Sequence, residues 1–454
     1  MYTPVKEIHQ LFLQYPKIYS DTRKAVKNSI FIALSSNTTN IGNQFAEKAI
    51  FEIGCAYTII DDEDLKKKHK EDKRFLLVKN TCEALKQLGK IHRQHLNIPI
   101  LAVAGSNGKT TTRKLISAVL SQKYNIGETQ GNLNNHFGVP LSLLNLNKKH
   151  EIGVIEVGAN HLKETKDLCE ICIPNFGIVT NCGKDHLEGY GTLENVIKSN
   201  AELYDWLAEN KGTAFINADD AVLLANSGNI LNRIFYGTAT NKSIKVTGEV
   251  IKSPWLLCKV SINQTEQPVK IQIQSKLFGK FWLPSILAAI SIGNHFGIPI
   301  NLIKKAIESY DPSGMMRSEQ INWNGSDVLL DCYNANPSSM EVFIDEILEF
   351  NTTKKKIFIL GSMLEGGLTS VDEHFKILEK LKNQPEESVC LVGNVNNNDF
   401  EQAIEKFNHK TPFIYFKNAA EAKEHLLKNQ DTNNYYFVKG SRGIRLESVF
   451  DYAK

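Results

Sequence analysis

Residues 103–115, VAGSNGKTTTRKL, combine the features of a loop that binds a polyphosphate. Gly105 and Gly108 let the backbone come close to an anion, and Lys109 follows with a mobile positive charge. Thr110 then offers a hydroxyl to a magnesium ion. The G-x-x-G-K-T spacing is two residues shorter between its glycines than the common phosphate-loop pattern, but the same physics applies. The segment predicts ATP binding; the alternative is a helix-capping turn whose lysine points to solvent.

Two ionisable side chains stand at the ends of predicted strands further along the chain. Glu156 ends the apolar segment GVIEV, and His186 follows the strand-like FGIVT. Because the carboxyl ends of parallel strands form one edge of a sheet, we expect both side chains near the phosphate loop. There they would share a magnesium ion with Thr110. The alternatives are a buried carboxylate that needs a counter-charge and a histidine that only orients or caps a neighbour.

An asparagine-rich segment, GETQGNLNNHFGVPLSLL, has the composition of a loop with special backbone angles. Its amides at Asn132, Asn134 and Asn135 suit hydrogen bonding to a sugar or a phosphate. An ordinary surface loop is the alternative, and composition alone does not separate the two.

The last third of the chain offers two further polar groups after predicted strands. In DCYNANPSSM, Asp331 suits a ribose hydroxyl and Asn334 suits a base edge, although Asn336 in the same segment equally predicts a helix cap. In VKGSRG, Lys439 and Arg442 form an anion site by charge and spacing. Isolated basic residues that are merely solvated are the alternative for the second pair.

The pattern of short apolar runs divides the chain into three parts. Residues 1–97 contain strand-like and helical segments and a charged run, DDEDLKKKHKEDK, which is typical of a solvated face. Residues 98–311 alternate buried strands with helical patterns, which predicts a parallel sheet covered by helices, with an antiparallel annex near 243–277. Residues 312–454 repeat this rhythm and predict a second nucleotide-type fold.

The composition excludes several classes of protein. Among 454 residues, 53 basic and 50 acidic ones leave a net charge of +3, which is too small and too dispersed for a nucleic-acid surface. No apolar run reaches the roughly 18 residues that span a bilayer, and the N-terminus lacks the layout of a signal peptide. The 8 scattered cysteines are typical of a reduced protein. We therefore expect a cytoplasmic protein without a membrane span.

The chain resembles the Mur ligase family in the order and spacing of its motifs. The segments that carry the resemblance are GSNGKTTT, GNLNNHFGVPLSLL, EVGANH, PNFGIVTNCGKDHLEGYG, DCYNANPSSM and VKGSRGIRLE, with SDTRKAVKNSIFIAL near the start. Together they cover nearly the whole chain. The asparagine-rich loop and the GANH and YNANP segments separate this branch from other Mur ligases and from folylpolyglutamate synthetase.

The resemblance implies an α/β fold of three domains. A central P-loop, parallel-sheet ATPase domain is flanked by an N-terminal substrate domain and a C-terminal Rossmann-like domain. It also implies ATP and Mg²⁺ as cofactors, and UDP-N-acetylmuramoyl-tripeptide and D-alanyl-D-alanine as substrates, joined through an acyl phosphate in peptidoglycan precursor synthesis. A monomer that binds no nucleic acid is expected.

The resemblance further implies roles for individual residues. The implied catalytic residues are Lys109, Glu156, His186 and Arg317. The implied nucleotide-binding residues are Gly105, Ser106, Asn107, Gly108, Lys109, Thr110, Thr111, Asp331 and Asn334. The implied substrate-binding residues are Asp21, Arg23, Asn132, Asn134, Asn135, Lys439 and Arg442. The implied magnesium ligands are Thr110, Glu156 and His186.

Four positions depart from the family pattern. Asn200 stands where the family has a lysine that becomes carbamylated and organises a second magnesium ion. Trp282 and Ser285 replace paired asparagines near the adenine, and Ser362 replaces the acid of a Gly-Asp-Met segment. These changes leave open a catalytically impaired relative that binds nucleotide or precursor. A P-loop kinase or motor ATPase is disfavoured because no second switch motif is visible.

Overall fold

The computed structural model describes residues 2–35, 41–239, 243–263, 267–394, 398–407 and 411–452. Its strands form three sheets, of four, nine and six strands, in chain order. The sheets fall within the predicted ranges 1–97, 98–311 and 312–454, and we call the corresponding parts the first, central and last units. The exact domain limits stay a prediction.

The first unit is a small parallel sheet with the order β1-β2-β3-β4. Its strands are β1 (Ile18–Tyr19), β2 (Ile30–Ile32), β3 (Tyr57–Ile60) and β4 (Phe75–Leu77). Its helices are α1 (Val5–Gln14), α2 (Ala46–Lys48), α3 (Glu63–Lys68) and α4 (Thr81–Leu96). Arg93 in α4 donates to the carbonyl oxygens of Cys172 and Ile173 in the central unit, so this helix fixes one unit to the next.

The central unit is a nine-stranded sheet with the order β13-β12-β11-β10-β9-β8-β5-β7-β6. Its strands are β5 (Ile100–Ala104), β6 (Ile126–Glu128), β7 (Ile152–Glu156), β8 (Phe176–Val179), β9 (Thr213–Asn217), β10 (Asn232–Gly237), β11 (Ile244–Lys252), β12 (Trp255–Ile262) and β13 (Val269–Phe278). Pairing is parallel from β6 to β11 and antiparallel for β11, β12 and β13. The antiparallel annex predicted from the sequence therefore extends the same sheet.

Helices cover both faces of the central sheet. They are α5 (Lys109–Leu120), α6 (Gly138–Leu144), α7 (Glu164–Cys172), α8 (Leu187–Tyr190), α9 (Leu193–Glu209), α10 (Ala221–Asn226), α11 (Leu283–His295) and α12 (Ile300–Ser309). The apolar side of α5 packs with α11 and α12 in one core, whereas α7 and α9 contribute to a second core on the opposite face. The loops at the carboxyl ends of the parallel strands are left free to carry polar side chains.

The last unit has the strand order β14-β15-β19-β16-β17-β18, with only the edge strand β14 antiparallel. Its strands are β14 (Glu319–Trp323), β15 (Ser326–Asp331), β16 (Lys355–Gly361), β17 (Val389–Val392), β18 (Phe413–Phe416) and β19 (Asn434–Lys439). Its helices are α13 (Pro337–Glu349), α14 (Ser370–Leu381), α15 (Asp399–Glu405) and α16 (Ala419–Lys428).

The predicted α/β class with parallel-dominated sheets is confirmed. One local element differs from the helical pattern of its sequence, NQFAEKAIFEIG at residues 43–54. This segment is not a uniform α-helix: it passes from a 3₁₀ turn through α2 into a π-helical turn that ends at Gly54. Within the described parts of the chain, no helix is long and apolar enough to cross a membrane.

Candidate active site between the central and last units

The phosphate loop lies between β5 and α5 and needs its glycines. Gly105 has φ 122° and Gly108 has φ 79°, a region that residues with a Cβ rarely adopt. A Cβ at Gly105 would also lie 2.1 Å from Thr180 Oγ1. The first glycine therefore permits close approach to the neighbouring loop, and the second starts α5 with a left-handed residue.

Hydrogen bonds from the loop after β8 brace the phosphate loop. The Asn107 N–H donates to Asn181 Oδ1 at 3.1 Å, and Thr180 Oγ1 donates to the Asn107 carbonyl at 2.7 Å. Lys109 Nζ folds back onto the carbonyls of Gly105 at 2.5 Å and of Ser106 at 3.1 Å. The lysine therefore stays beside the loop, where a phosphate oxygen would compete for it.

Glu156 lies at the end of β7 and is 2% exposed. Its Oε1 accepts from Thr110 Oγ1 at 3.2 Å and from Asn134 Nδ2 at 2.9 Å. Its Oε2 accepts from Arg113 Nε at 3.1 Å, and Arg113 also pairs with Glu128 at 2.9 Å. The counter-charge that a buried carboxylate requires is thus Arg113, which is itself 1% exposed.

His186 follows β8 and lies between two carboxylates. Its Nδ1 contacts Glu365 of the last unit, and its Nε2 lies 3.7 Å from Asp185 Oδ2. Burial lowers the pKa of His186, but the hydrogen bond with Glu365 and the charge of Asp185 outweigh burial, so its pKa is raised. The same hydrogen bond lowers the pKa of Glu365. The pair therefore favours a charge-assisted contact between the two units.

A cavity of about 720 Å³ opens between the central and last units. The residues predicted from the sequence that line it are Ser106, Asn107, Gly108, Lys109, Thr110, Asn132, Asn134, Glu156, His186, Arg317, Asp331, Asn334 and Lys439. Apolar walls come from Phe281, Trp282 and Phe343, among others. The structure thus brings the phosphate loop together with polar groups from the far end of the sequence.

Six predicted site residues do not line this cavity among the residues that the structure describes: Gly105, Thr111, Asn135, Arg442, Asp21 and Arg23. Asn135 Oδ1 accepts the Gly138 N–H at 2.9 Å and so shapes the start of α6. Arg442 pairs with Glu447 at 2.8 Å. Asp21 and Arg23 pair with each other on the first unit, with the arginine side chain 88% exposed. Their substrate roles stay predictions.

Two cationic side chains of the last unit reach the cavity already engaged. Lys439 Nζ lies 2.7 Å from Asp331 Oδ2, and its side chain is 4% exposed. The guanidinium of Arg317 lies over the Tyr333 ring, 4.2 Å from its centroid. The positive charge of Lys439 is therefore already neutralised by Asp331, unlike the free anion site that the sequence suggests. The guanidinium of Arg317 contacts an aromatic ring and forms no ion pair among the residues that the structure describes.

Three of the four side chains that depart from the family pattern have structural partners of their own. Ser285 Oγ accepts from Thr112 Oγ1 at 2.9 Å, and Trp282 Nε1 donates to Ser318 Oγ at 3.0 Å. Asn200 donates to the Val196 carbonyl within α9 at 2.9 Å and, among described residues, is not part of the cavity wall. Ser362 is fully buried, and its Oγ has no partner within the described chain.

The oxygen donors around Glu156 fit a magnesium ion. The Thr110 hydroxyl and the Glu156 carboxylate are hard ligands and lie 3.2 Å apart at the cavity wall. In the described ranges no group of three or more His, Cys, Asp or Glu side chains is placed to hold a metal alone. Magnesium commonly uses one or two protein oxygens and completes its shell with phosphate and water, which this arrangement allows.

Sequence reasoning missed the side chains that join the cavity across units. Asn336 caps α13 as one of the alternatives predicted, but its Nδ2 also donates to Asn107 Oδ1 at 2.8 Å and Asp185 Oδ1 at 3.1 Å. Arg113 and Glu365 carried no local signal, because their partners lie far away in the sequence.

Comparisons with known proteins agree with this geometry. The family model described as the Mur ligase middle domain matches residues 103–293, and that described as the Mur ligase, glutamate ligase domain matches residues 316–442. These matches include the phosphate loop and both sides of the cavity.

Relatives match almost the whole chain. A UDP-N-acetylmuramoyl-tripeptide–D-alanyl-D-alanine ligase from Haemophilus influenzae is 30% identical, covering 96% of this chain and 93% of the relative. One from Bacillus subtilis is 29% identical, covering 95% and 92%. A crystal structure of MurF from Acinetobacter baumannii superposes with a TM-score of 0.81 at 26% identity, covering 96% of this chain and 93% of that one.

Proposed function

Because the chain belongs to the Mur ligase family, we propose that it is the ATP-dependent ligase that joins D-alanyl-D-alanine to UDP-N-acetylmuramoyl-tripeptide. The relatives named for this activity cover more than nine-tenths of its length. The family resemblance drawn from the sequence is thereby confirmed. The product is a precursor of peptidoglycan.

The reaction requires a carboxylate to become an acylating agent. ATP transfers its γ-phosphoryl group to the terminal carboxylate of the tripeptide, which gives an acyl phosphate and ADP. The amine of D-alanyl-D-alanine then attacks the acyl carbon, an amide bond forms, and phosphate leaves. Most of the catalysis in such a transfer is positioning and charge stabilisation, which is the task of the cavity.

The central unit supplies the groups for the phosphate end. The loop from Gly105 to Thr111 receives the phosphates at the N-terminus of α5, and Lys109 moves from its own carbonyls to a phosphate oxygen. Thr110 and Glu156 would hold magnesium, which offsets negative charge on the transferring group. Arg113 holds the Glu156 carboxylate in place by pairing with its Oε2.

The last unit supplies the groups for the other end of the nucleotide and the dipeptide. Arg317 faces the cavity beside Tyr333 and is suited to the γ-phosphate. Asp331 and Asn334 are suited to the ribose and the base.

Cys182 of the central unit also lines the cavity. Burial raises the pKa of its thiol to about 12, so the thiol stays protonated and does not compete as a nucleophile.

The observation that carries the proposal is the shared cavity. It places the phosphate loop and Glu156 of the central unit opposite Arg317 and Lys439 of the last unit, although some 160–330 positions separate these motifs. A simple phosphate-binding loop would not need the second set. A ligase that activates one substrate and admits another does.

The test is phosphate release with each substrate omitted in turn. Release should require both the tripeptide and the dipeptide, and Lys109→Ala should lower it by about 10²–10³-fold because one charge-stabilising group is lost. Lys123→Ala, at an exposed turn after the same helix, is the matched control. Intact ATP binding without release in the unmodified chain would favour the catalytically impaired relative, and ATP binding unaffected by Lys109→Ala would contradict the loop assignment.

A further inference from the structure

Glu365 reaches His186 from a different unit of the molecule. It lies in the loop that follows β16, whereas His186 lies in the loop that follows β8. Its Oε2 contacts Nδ1 of the imidazole, and half of the Glu365 side chain remains exposed. Nothing in the phosphate chemistry described above uses this carboxylate.

Both residues hold an unfavourable backbone conformation. His186 has φ 47° and Glu365 has φ 65°, in the left-handed region that residues with a Cβ rarely adopt. Such conformations persist only where the surroundings impose them, and they cluster at functional positions. Two of them facing each other across a domain contact therefore point to a contact that is needed.

The backbone of the loop is seated independently of the Glu365 side chain. The Glu188 N–H, in α8, donates to the Glu365 carbonyl at 3.0 Å. Gly367 has φ 60°, and a Cβ there would lie 3.2 Å from the Leu187 carbonyl oxygen. Removing the carboxylate should consequently leave the loop in place, which permits a clean test.

A carboxylate in contact with one nitrogen of a histidine fixes the orientation of the ring. With Nδ1 donating its proton to Glu365, the ring cannot turn, and His186 presents a defined edge to the cavity that it lines. Asp185 lies too far from Nε2, at 3.7 Å, to fix the ring by a hydrogen bond. Glu365 is therefore the group that determines the orientation of the imidazole.

We propose that Glu365 is a positioning residue that orients His186 for the reaction, so that docking of the last unit itself completes the site of the central unit. This inference rests on the proposed ligase function. The proposed role of Glu365 differs from that of a contact that only closes the cavity. The second ionic contact on the same side, Lys184 with Glu373 at 2.7 Å, is of that kind, because it does not touch His186.

The kinetic experiment compares these two carboxylates in the full chain. Glu365→Gln and Glu365→Ala should lower kcat for substrate-dependent phosphate release by about 10–100-fold, with KM for ATP changed less than about threefold. Glu373→Gln, which weakens the other ionic contact, should change kcat less than about threefold. Equal losses for Glu365→Gln and Glu373→Gln would overturn the positioning role and leave only a closing contact.

The spectroscopic experiment does not depend on activity. In the full chain with ¹⁵N-labelled histidine, the His186 signal, assigned by its disappearance in His186→Gln, should report a proton held at Nδ1. Glu365→Ala should shift this signal, because the proton at Nδ1 loses its acceptor, and Glu373→Gln, which keeps that acceptor, should shift it less. An identical His186 signal in Glu365→Ala would overturn the inference.

The two proposals fail in distinguishable ways. An unmodified chain that releases no phosphate with both substrates overturns the proposed function, and with it any role of Glu365 in that reaction. An active unmodified chain whose kcat survives Glu365→Ala overturns the inference alone.

Discussion

The last unit meets the central unit at two places of different chemistry. At the annex contact, Phe278 of β13 packs against Phe350 and Phe437, with ring centroids 5.8 and 6.2 Å away, and the Lys280 N–H donates to the buried Glu346 at 3.0 Å. At the loop contact, defined by Lys184, His186 and Asn107 facing Glu373, Glu365 and Asn336, the partners are polar or charged.

The difference assigns different tasks to the two contacts. Separating apolar rings exposes apolar surface to water, which costs a free energy of roughly 25 cal/mol per Å². Polar partners instead form hydrogen bonds with water when they separate. We therefore expect the annex contact to hold the units together and the loop contact to be the side that opens to admit substrates. Domain closure around ligands commonly uses such an arrangement of a fixed side and a breakable one.

The largest expected effect comes from breaking the annex contact. Phe278 is fully buried in the core of the last unit, so Phe278→Ala should lower the free energy of unfolding by about 3–5 kcal/mol. Denaturant unfolding followed by fluorescence measures this. Leu427→Ala, at a position 46% exposed, is the control and should stay within about 0.5 kcal/mol. A Phe278→Ala loss no larger than that of the control would contradict the assignment of the fixed side.

A smaller effect is expected at the loop contact. The Lys184 side chain is 35% exposed, so its pair with Glu373 contributes at most about 1 kcal/mol. Lys184→Met should leave the free energy of unfolding nearly unchanged but raise the radius of gyration in X-ray scattering, because the open form becomes more populated. Lys382→Met, which removes a pair with Glu379 at the C-terminal end of α14, should change neither quantity. A large stability loss in Lys184→Met without a change in scattering would reverse the comparison.

The smallest effect concerns pH. Burial raises the pKa of Glu373, but hydrogen bonds from Lys184 and Lys376 outweigh it, so the pKa lies below its ordinary value of 4.5. A carboxyl group with a lowered pKa stabilises the docked form above that ordinary value and loses this contribution as the pH falls through the lowered pKa. Scattering from pH 6 to below the ordinary value of 4.5 should show opening of the native chain only at the acid end of this range.

The control for this pH effect is Glu373→Gln, which has no carboxyl group to titrate at that position. Its scattering should depend less on pH than that of the unmodified chain. Equal pH dependence in both would exclude Glu373 as the acid-sensitive partner.

Local patterns sufficed to locate the glycine-rich loop before α5 and the buried carboxylate of Glu156, whose roles stay predictions. The loop needs glycine at positions with positive φ, and a carboxylate that ends an apolar strand is unusual enough to be noticed. The alternation of strands and helices likewise predicted the parallel sheets, because each strand and each helix has its own hydrophobic period. The predicted counter-charge of Glu156 was also correct in kind, although its identity as Arg113 was not foreseen.

Long-range pairing limited the rest of the prediction. The sequence predicts an anion site at Lys439 and a separate ribose site at Asp331. The two side chains form an ion pair because β15 and β19 are neighbours in the sheet. No local sequence pattern marks Glu365 as a site residue, since its ionic partner His186 lies in another unit. Ser285 and Trp282 were noted as departures, and only the structure gives them partners in Thr112 and Ser318.

Phe278 has one more consequence, for the order in which the chain can be assembled. It is contributed by β13 of the central sheet, yet it completes the apolar core beneath β16 and β19. A fragment beginning at residue 312 would lack this ring and leave Phe350 and Phe437 without their neighbour. The last unit is consequently not an exchangeable module. During synthesis its apolar core can be completed only after β13 of the central sheet has formed.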